Sequence, residues 1–362
     1  MIRLRLELRT RPSRMLLYVV PLLSIALALL VGGAVIAAAG ANPLRAYSQM
    51  ILGALGSLHS VAEVLVKSTP LMLAGLGVML AFRVGFWNIG AEGQLYMGAF
   101  GATLVVLQGW SLPGIGFLPT MVVAAVVAGG CWALIPALLK VRLNTNEILT
   151  TLLLNYVAIL FVEYFLFGPW KDPLTLNFPM TKLFPHDAQL PRFGDTRLHW
   201  GFVLAITLAA GFYLLERTRW GFAITVTGEN PRAAAYAGID VLRTLVIAVV
   251  ISGGLAGLAG MVEVAGIQLR LVTGISPPNA PYGYTAIIVA WLARRRPLGV
   301  ILVSILLGVL YVGGEVLQIE TKLPTAIVLV VQAMILLFIL GGQVLTRYRV
   351  ALVREESRSV AA

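Results

Sequence analysis

The chain has 362 residues, of which 59% are hydrophobic and 12% are charged, and its formal net charge is +11. A soluble domain carries about 25% charged residues, so the composition excludes a water-soluble fold and requires a lipid bilayer around most of the chain. The basic residues stand beside apolar runs and form no soluble patch, which excludes nucleic acid as a partner.

Ten apolar segments follow one another along the chain, and they predict an all-α polytopic membrane protein with about ten transmembrane helices. Crossing a bilayer takes about 20 apolar residues, so the eighth segment crosses only if its neighbours extend it. The first run is longer than the apolar region of a signal peptide, which has about 7–15 residues, and this favours an uncleaved helix. The segments are 15–41, 61–81, 93–108, 119–139, 147–167, 200–215, 244–268, 282–293, 298–317 and 324–344.

The basic residues also predict the orientation, because Lys and Arg mark the cytoplasmic side of a membrane protein. With the N-terminus inside, 19 of the 27 Lys and Arg residues fall in inside segments and 7 fall outside. We therefore expect a multi-pass protein of the inner (cytoplasmic) cell membrane with both termini in the cytoplasm. The predicted regions are an N-terminal segment 1–14, a transmembrane domain 15–344 and a tail 345–362. The longest outside loop, 168–199, is predicted to be a docking surface or a cap.

Two interruptions of the apolar pattern predict broken helices, near 82–94 and 274–283. Glycines and polar side chains interrupt the first, and three prolines and an asparagine interrupt the second. Irregular backbone at membrane depth is tolerated only against protein or a cavity, and broken helices of this kind mark translocation sites. The two breaks precede comparable pairs of segments, which suggests a weak internal duplication. The alternative for either break is a loop at the bilayer surface.

Several side chains in and near these breaks suit a path for a neutral polar solute, which needs amides, hydroxyls and rings more than charges. The aromatic ones are equally typical of membrane interfaces. By these boundaries Glu263 is the deepest ionisable residue, which indicates a functional group, a buried pair, or a segment boundary that lies elsewhere. The candidate pathway residues are Phe86, Trp87, Asn88, Glu92, Gln94, Asn155, Tyr156, Glu263 and Asn279.

The inside loop 216–243 contains a short capped helix, predicted at 229–238. Asn230 suits the N-cap, the proline after it suits the first helical position, and Gly238 suits the end. This helix is either a connector or a lever that fits a groove on a partner protein. The candidate lever residues are Gly228, Glu229, Asn230, Pro231, Arg232, Ala235, Tyr236 and Gly238.

The sequence lacks the short motifs that are typical of ATP-binding sites, hydrolase nucleophiles and zinc sites. None of the five lysines follows a glycine, so the chain has no Walker ATP-binding motif. It has neither a Gly-x-Ser-x-Gly nucleophile elbow nor a His-Glu-x-x-His zinc motif. Cys131 is the only cysteine, and the three histidines lack metal-ligand spacing. We therefore expect no enzyme activity, no metal and no cofactor.

The stretch from Gly221 to Asp240 resembles the coupling helix of permease subunits from ABC importers for simple sugars, nucleosides and branched-chain amino acids. Four more stretches resemble the same family, so that the likeness spans nearly the whole chain, and it is greatest to the nucleoside-type permeases. Arg294–Arg296 departs from the pattern, because many relatives have a Gly-Arg turn there. The four stretches are Phe82–Gln94, Asn146–Tyr156, Tyr282–Ile287 and Pro297–Gly299.

This resemblance implies a transmembrane permease subunit of an ATP-driven importer, which forms the path for a small polar solute. A nucleoside is the first expectation and a simple sugar the next. The implied partners are cytoplasmic ABC ATPase subunits, a second permease that is similar or identical, and an extracytoplasmic solute-binding protein. One alternative is an ion-coupled secondary transporter, in which Glu263 would carry the ion. A membrane-embedded enzyme is the other, and the missing nucleophile and metal motifs count against it.

Overall fold

The computed structural model describes residues 2–8, 14–110, 116–277, 280–321 and 324–354. In these ranges the regular secondary structure is helical apart from two short strands, so the predicted all-α membrane class is confirmed. The elements are β1 (Ile2–Leu8), α1 (Arg14–Ala38), α2 (Pro43–Leu55), α3 (Leu58–Arg83), α4 (Ala91–Leu107), α5 (Phe117–Leu143), α6 (Glu147–Phe167), α7 (Gly201–Leu215), α8 (Arg219–Glu229), α9 (Pro231–Tyr236), α10 (Val241–Glu263), α11 (Tyr282–Leu292), α12 (Pro297–Thr321), α13 (Thr325–Arg347) and β2 (Tyr348–Arg354).

Five helices of the described residues are long and apolar enough to cross a membrane: α3, α5, α6, α12, and α10 continued to Gln268 by a π-helical turn. Two bent pairs raise the number to seven if each pair is one span. One pair joins α1 to α2 at 114°, and the other joins α7 to α8 at 79°. The larger expectation of about ten helices stays a prediction. The sequence reading missed α2 and α8, because both mix polar with apolar residues.

Two compact units make up the chain. The first combines described parts of Met1–Gly53 and Gly313–Ala362, and in it α1 packs against α13. The unpredicted strands pair antiparallel, from Ile2 opposite Arg354 to Leu8 opposite Tyr348. This pairing brings Ile2–Leu8 and Tyr348–Arg354 together. That both termini lie in the cytoplasm stays a prediction.

The second unit, Ala54–Val312, is built around α10, which packs against α3, α4 and α5. Small residues on α10 allow this close packing. A Cβ on Gly98 of α4 would lie 2.1 Å from the Cα of Gly257, and a Cβ on Gly260 would lie 2.0 Å from the Leu95 carbonyl. Backbones that approach so closely gain the dispersion contacts that drive helix association in lipid.

Both predicted breaks are present. Helix α3 ends at Arg83 and α4 begins at Ala91, while the π-helical turn after α10 ends at Gln268 and α11 begins at Tyr282. Pro278 and Asn279, in the second break, lie outside the described residues.

The loop 168–199 caps the chain beyond α10. Its Leu190 N–H donates to the Ala265 carbonyl at 2.9 Å, and its Phe184 N–H donates to the Leu269 carbonyl at 2.8 Å. In addition, Arg197 forms an ion pair with Glu63 of α3 at 3.3 Å. The loop thus supplies partners to backbone that has left the helix. A docking role for it stays a prediction.

His199 at the end of this loop is fully buried. Its Nδ1 accepts the N–H of Gly201 at 3.2 Å, and a Cβ on Gly266 would lie 2.6 Å from its Nε2. Burial, followed by the positive charges of Arg192 and Arg197, lowers the pKa of His199 to about 4. The imidazole is therefore neutral in the folded protein at neutral pH.

Replacing Gly98 by alanine should destabilise the protein, because the new Cβ would overlap the backbone of α10. Overpacking costs roughly 1–3 kcal/mol. The matched control is Gly211→Ala on α7, where nothing lies within 4 Å of the new Cβ and alanine favours the helix by about 1 kcal/mol. Thermal unfolding in detergent should show a lower Tm for the first variant only. An unchanged Tm for Gly98→Ala would contradict the close packing.

Acidification should also destabilise the protein through His199. Between pH 6.5 and 4 the unfolded imidazole binds a proton and the folded one does not, so the free energy of unfolding should fall with pH by roughly 3 kcal/mol. The variant His199→Asn keeps an acceptor for the Gly201 N–H and removes the titration. Denaturation measured at several pH values should show a smaller loss in this variant. An equal loss in both proteins would refute the assignment to His199.

Candidate functional site

The break between α3 and α4 consists of residues 84–90. Gly85 has a φ of +84°, in the left-handed region that glycine adopts without strain, and it turns the chain away from the helix axis. The next residue, Phe86, is fully buried, and its N–H donates to the Ala81 carbonyl at 2.9 Å. Phe86 therefore fixes the position of the backbone that leads into the polar residues of the break.

Asn88 and Gln94 form a reciprocal amide pair in the interior. The Asn88 Nδ2 donates to the Gln94 Oε1 at 2.9 Å, and the Gln94 Nε2 donates to the Asn88 Oδ1 at 3.0 Å. The Asn88 Nδ2 also donates to the Ser252 Oγ of α10 at 3.0 Å, and its Oδ1 accepts the Gly90 N–H at 3.0 Å. Both amides are buried. The pair thus closes the break against α10.

Helix α6 holds the other side of the break. Its Asn155 Oδ1 accepts the Gly93 N–H at 2.8 Å, and its Nδ2 donates to the Ile89 carbonyl at 2.9 Å. One turn earlier, the Thr151 Oγ1 accepts the Ile89 N–H at 3.2 Å. The same Asn155 Nδ2 donates to the Tyr284 hydroxyl of α11 at 3.2 Å. Asn155 therefore links α6 to the break and to α11.

The two broken regions predicted from the sequence meet at Glu92. The buried Glu92 Oε2, in the first turn of α4, accepts the Gly283 N–H at the start of α11 at 2.6 Å. A Cβ on Gly283 would lie 2.2 Å from the Glu92 nitrogen, so the two helix starts are in direct backbone contact. A carboxylate there interacts favourably with the N-terminal ends of both helix dipoles.

The aromatic candidates differ in exposure. Trp87 is 40% exposed, with its ring centroid 5.6 Å from that of Trp291 and 5.1 Å from that of Phe82. Tyr156 on α6 is 58% exposed. Trp87 and Tyr156 are therefore accessible in this chain, whereas Phe86 and the amide residues are not.

Glu263 is not brought into this cluster. It is buried near the end of α10 and lies about 16 Å along that helix from Ser252. The charges that act on it belong to Lys67 of α3 and Arg197 of the loop 168–199. Asn279, the remaining candidate, lies outside the described residues.

The predicted lever is a pair of short helices. Asn230 separates α8 from α9, and its Oδ1 accepts the Ala233 N–H at 3.1 Å, as expected for an N-cap. Pro231 occupies the first position of α9 as predicted. The helix is shorter than 229–238, because Glu229 is the last residue of α8 and the chain leaves α9 before Gly238, whose φ is +78°.

Most of α9 is exposed, whereas α8 packs against α3. Arg232, Ala235 and Tyr236 on α9 are exposed, with Tyr236 at 94%. On α8, a Cβ on Gly228 would lie 1.9 Å from the Arg83 carbonyl oxygen. Helix α8 therefore rests directly on the end of α3, where the break begins.

Sequence reasoning missed the partners that complete the cluster: Thr151, Ser252, Gly283 and Tyr284. Thr151 precedes Asn155 by four residues and thus shares its helix face, a signal that could have found it. The other three depend on how distant helices pack. In the described ranges, no three His, Cys, Asp or Glu side chains gather as a metal site would require.

The amino-acid sequence matches a known protein family. Residues 60–340 match the family described as the permease component of the branched-chain amino acid transport system. The glucose ABC transporter permease protein TsgB13 of Haloferax volcanii is 37% identical over an alignment 365 residues long. The alignment covers 97% of this chain and 94% of the relative.

Bacillus subtilis has two similar proteins. The guanosine ABC transporter permease protein NupP is 32% identical, covering 88% of this chain and 92% of its own length. The guanosine ABC transporter permease protein NupQ is 28% identical, covering 78% of this chain and 91% of its own length. This chain is thus similar along most of its length to two different permeases of one organism.

Replacing Asn88 alone by leucine should leave the Gln94 amide without its partner in the interior. An unsatisfied buried amide costs about 1–3 kcal/mol, whereas the double variant Asn88→Leu, Gln94→Leu should cost less than the sum of the two single variants. The exposed Gln108→Leu at the end of α4 is the control. Unfolding of all four variants in detergent completes the cycle. Additive losses would show that the two amides do not interact.

Proposed function

The chain belongs to the family of permease components of branched-chain amino acid transport systems, and on that premise we propose how it carries out transport. It is a multi-pass protein of the cell membrane and the translocation subunit of an ABC importer. It is thus a transport component, which works with ATPase and binding-protein partners.

The proposed solute is a neutral compound with a polyhydroxylated sugar ring. A nucleoside remains the first candidate, supported by the guanosine permeases among the relatives. A simple sugar is the second, supported by the glucose permease at 37% identity. Guanosine and glucose both carry such a ring, and both lack a net charge. The candidate pathway agrees, because its accessible groups near the break are rings and not charges.

Among the predicted pathway residues, we assign the solute contacts to Trp87 and Tyr156. Their rings are exposed, and aromatic faces suit the flat or apolar face of a sugar or base ring. We assign Asn88, Gln94 and Asn155 to holding the break, because their amide groups already bind one another or the backbone. A solute would have to displace those hydrogen bonds to reach them.

ATP is proposed to act through separate ATPase subunits, since the chain has no Walker motif. The exposed residues Arg232, Ala235 and Tyr236 form the proposed docking face for an ATPase. The observation that carries this proposal is the contact of α8 with the end of α3 through Gly228. A push on α9 would reach the break at Gly85 by this contact, without passing through flexible chain.

The second permease is proposed to be similar to this chain and not identical. Bacillus subtilis has two guanosine permeases that both match this chain, at 32% and 28% identity. A solute-binding protein would deliver the solute on the opposite face from the ATPases.

Proteoliposomes that contain the chain with its co-purified partners should take up labelled guanosine when ATP is supplied to the ATPase side. Unlabelled guanosine should compete, and leucine should not. ATP-dependent uptake of labelled glucose, with none of labelled guanosine, would select the second candidate. Uptake driven by an imposed ion gradient without ATP would contradict the proposal.

In the same vesicles, Arg232→Glu should reduce uptake, because it reverses the charge on the proposed docking face. A loss of about 10-fold is expected for a buried charge pair at an interface. The matched control is Arg243→Glu, an exposed residue in the first turn of α10. Equal uptake by the two variants would argue against docking through α9.

A further inference from the structure

Arg83, the last residue of α3, contacts three segments that are distant in sequence. Its Nη2 pairs with the Glu216 Oε1 at 2.6 Å, at the corner between α7 and α8. Its Nε donates to the Arg295 carbonyl at 2.9 Å, in the turn between α11 and α12. Its own carbonyl lies against Gly228 of α8. Arg83 is thus in contact with the corner before α8, with the last turn of α8 and with the turn that follows α11.

The type of side chain matters at this position. A guanidinium group carries five N–H donors in a rigid plane and keeps its charge at any relevant pH. It can therefore hold the Glu216 carboxylate and the Arg295 carbonyl at the same time. Both side chains of the ion pair are largely shielded from water, with 18% and 26% exposed, so solvent screens the pair less than it screens a surface pair.

The turn that Arg83 holds has an unfavourable backbone. Arg294 and Arg295 have φ angles of 52° and 60°, in the left-handed region that costs free energy for any residue with a Cβ. Such a conformation persists only when its surroundings hold it. The hydrogen bond from Arg83 to the Arg295 carbonyl is one such restraint.

From Arg83, contacts lead to both sides of the break at 84–90. The break directly follows Arg83 on one side. On the other side, α11 runs back from the turn at Arg294–Arg296 to Gly283, whose N–H holds the Glu92 carboxylate at the start of α4. A displacement of α8 would therefore move the end of α3 directly and the start of α4 through α11.

We infer that Arg83 is a positioning residue that transmits the movement of α8 to both ends of the break, so that ATP hydrolysis and solute passage stay coupled. This inference rests on the proposed role of α8 and α9 in ATPase docking. A residue that served the fold alone would change ATP hydrolysis and uptake together. A transmitting residue changes the number of solutes moved per ATP.

The test measures ATP hydrolysis and solute uptake on the same proteoliposomes of the full complex. Arg83→Gln should lower uptake per ATP by about 5- to 10-fold, and Glu216→Gln, which removes the charge at constant shape, should lower it in the same direction. Arg83→Lys keeps the charge and loses the Nε donor, so an intermediate ratio is expected. If Arg83→Gln fails to assemble, Glu216→Gln alone decides.

Arg217→Gln is the matched control. It changes the neighbouring arginine, which donates to the Tyr213 hydroxyl of α7, and it should leave the ratio unchanged. A wild-type ratio in both Arg83→Gln and Glu216→Gln would overturn the inference. Absence of ATP-dependent uptake in the wild type would instead overturn the proposed function.

Discussion

Backbone that leaves the helical pattern inside a bilayer must find its hydrogen-bond partners within the protein. Residues 84–90 meet this requirement with side chains of α6 and of the break itself. Thr151 and Asn155 of α6 bind the N–H and the carbonyl of Ile89, and the Asn88 Oδ1 accepts the Gly90 N–H. Gln94 of α4 and Ser252 of α10 in turn hold the Asn88 side chain. The break is therefore an ordered structure whose shape depends on the relative positions of these helices.

This constraint separates residues that resemble each other in type. The amides of Asn88, Gln94 and Asn155 have the chemistry to bind a polar solute, yet their donors and acceptors serve the backbone and one another. Moving them would leave buried polar groups unpaired, which is costly in an apolar medium. The exposed rings of Trp87 and Tyr156 are not tied to the break by such hydrogen bonds. In a pore for neutral ring compounds, exposed rings can contact a solute while the amides keep the path in shape.

In the proposed mechanism, the break connects the helices that dock the ATPase to the path of the solute. Its first residues follow the end of α3, on which α8 rests through Gly228, and its last residues precede Glu92, which binds the start of α11. Close backbone contacts transmit displacement with little loss because no flexible side chain intervenes. A partner ATPase that acts on α9 would thus move α8 and the end of α3 as one rigid body. This movement would change the shape of the break.

Several features followed from the sequence because they depend on local chemistry. The apolar runs determined the membrane class, glycines and prolines located both breaks, and Asn230 with Pro231 marked the start of α9. Helix α2 and the terminal strands were missed, since their patterns are weak and the strands pair residues at opposite ends of the chain. Only the tertiary structure showed that Glu92 reaches Gly283, that Ser252 joins the amide pair, and that Arg83 contacts both Glu216 and Arg295. These contacts join residues more than a hundred positions apart, and no local periodicity encodes which helix faces meet.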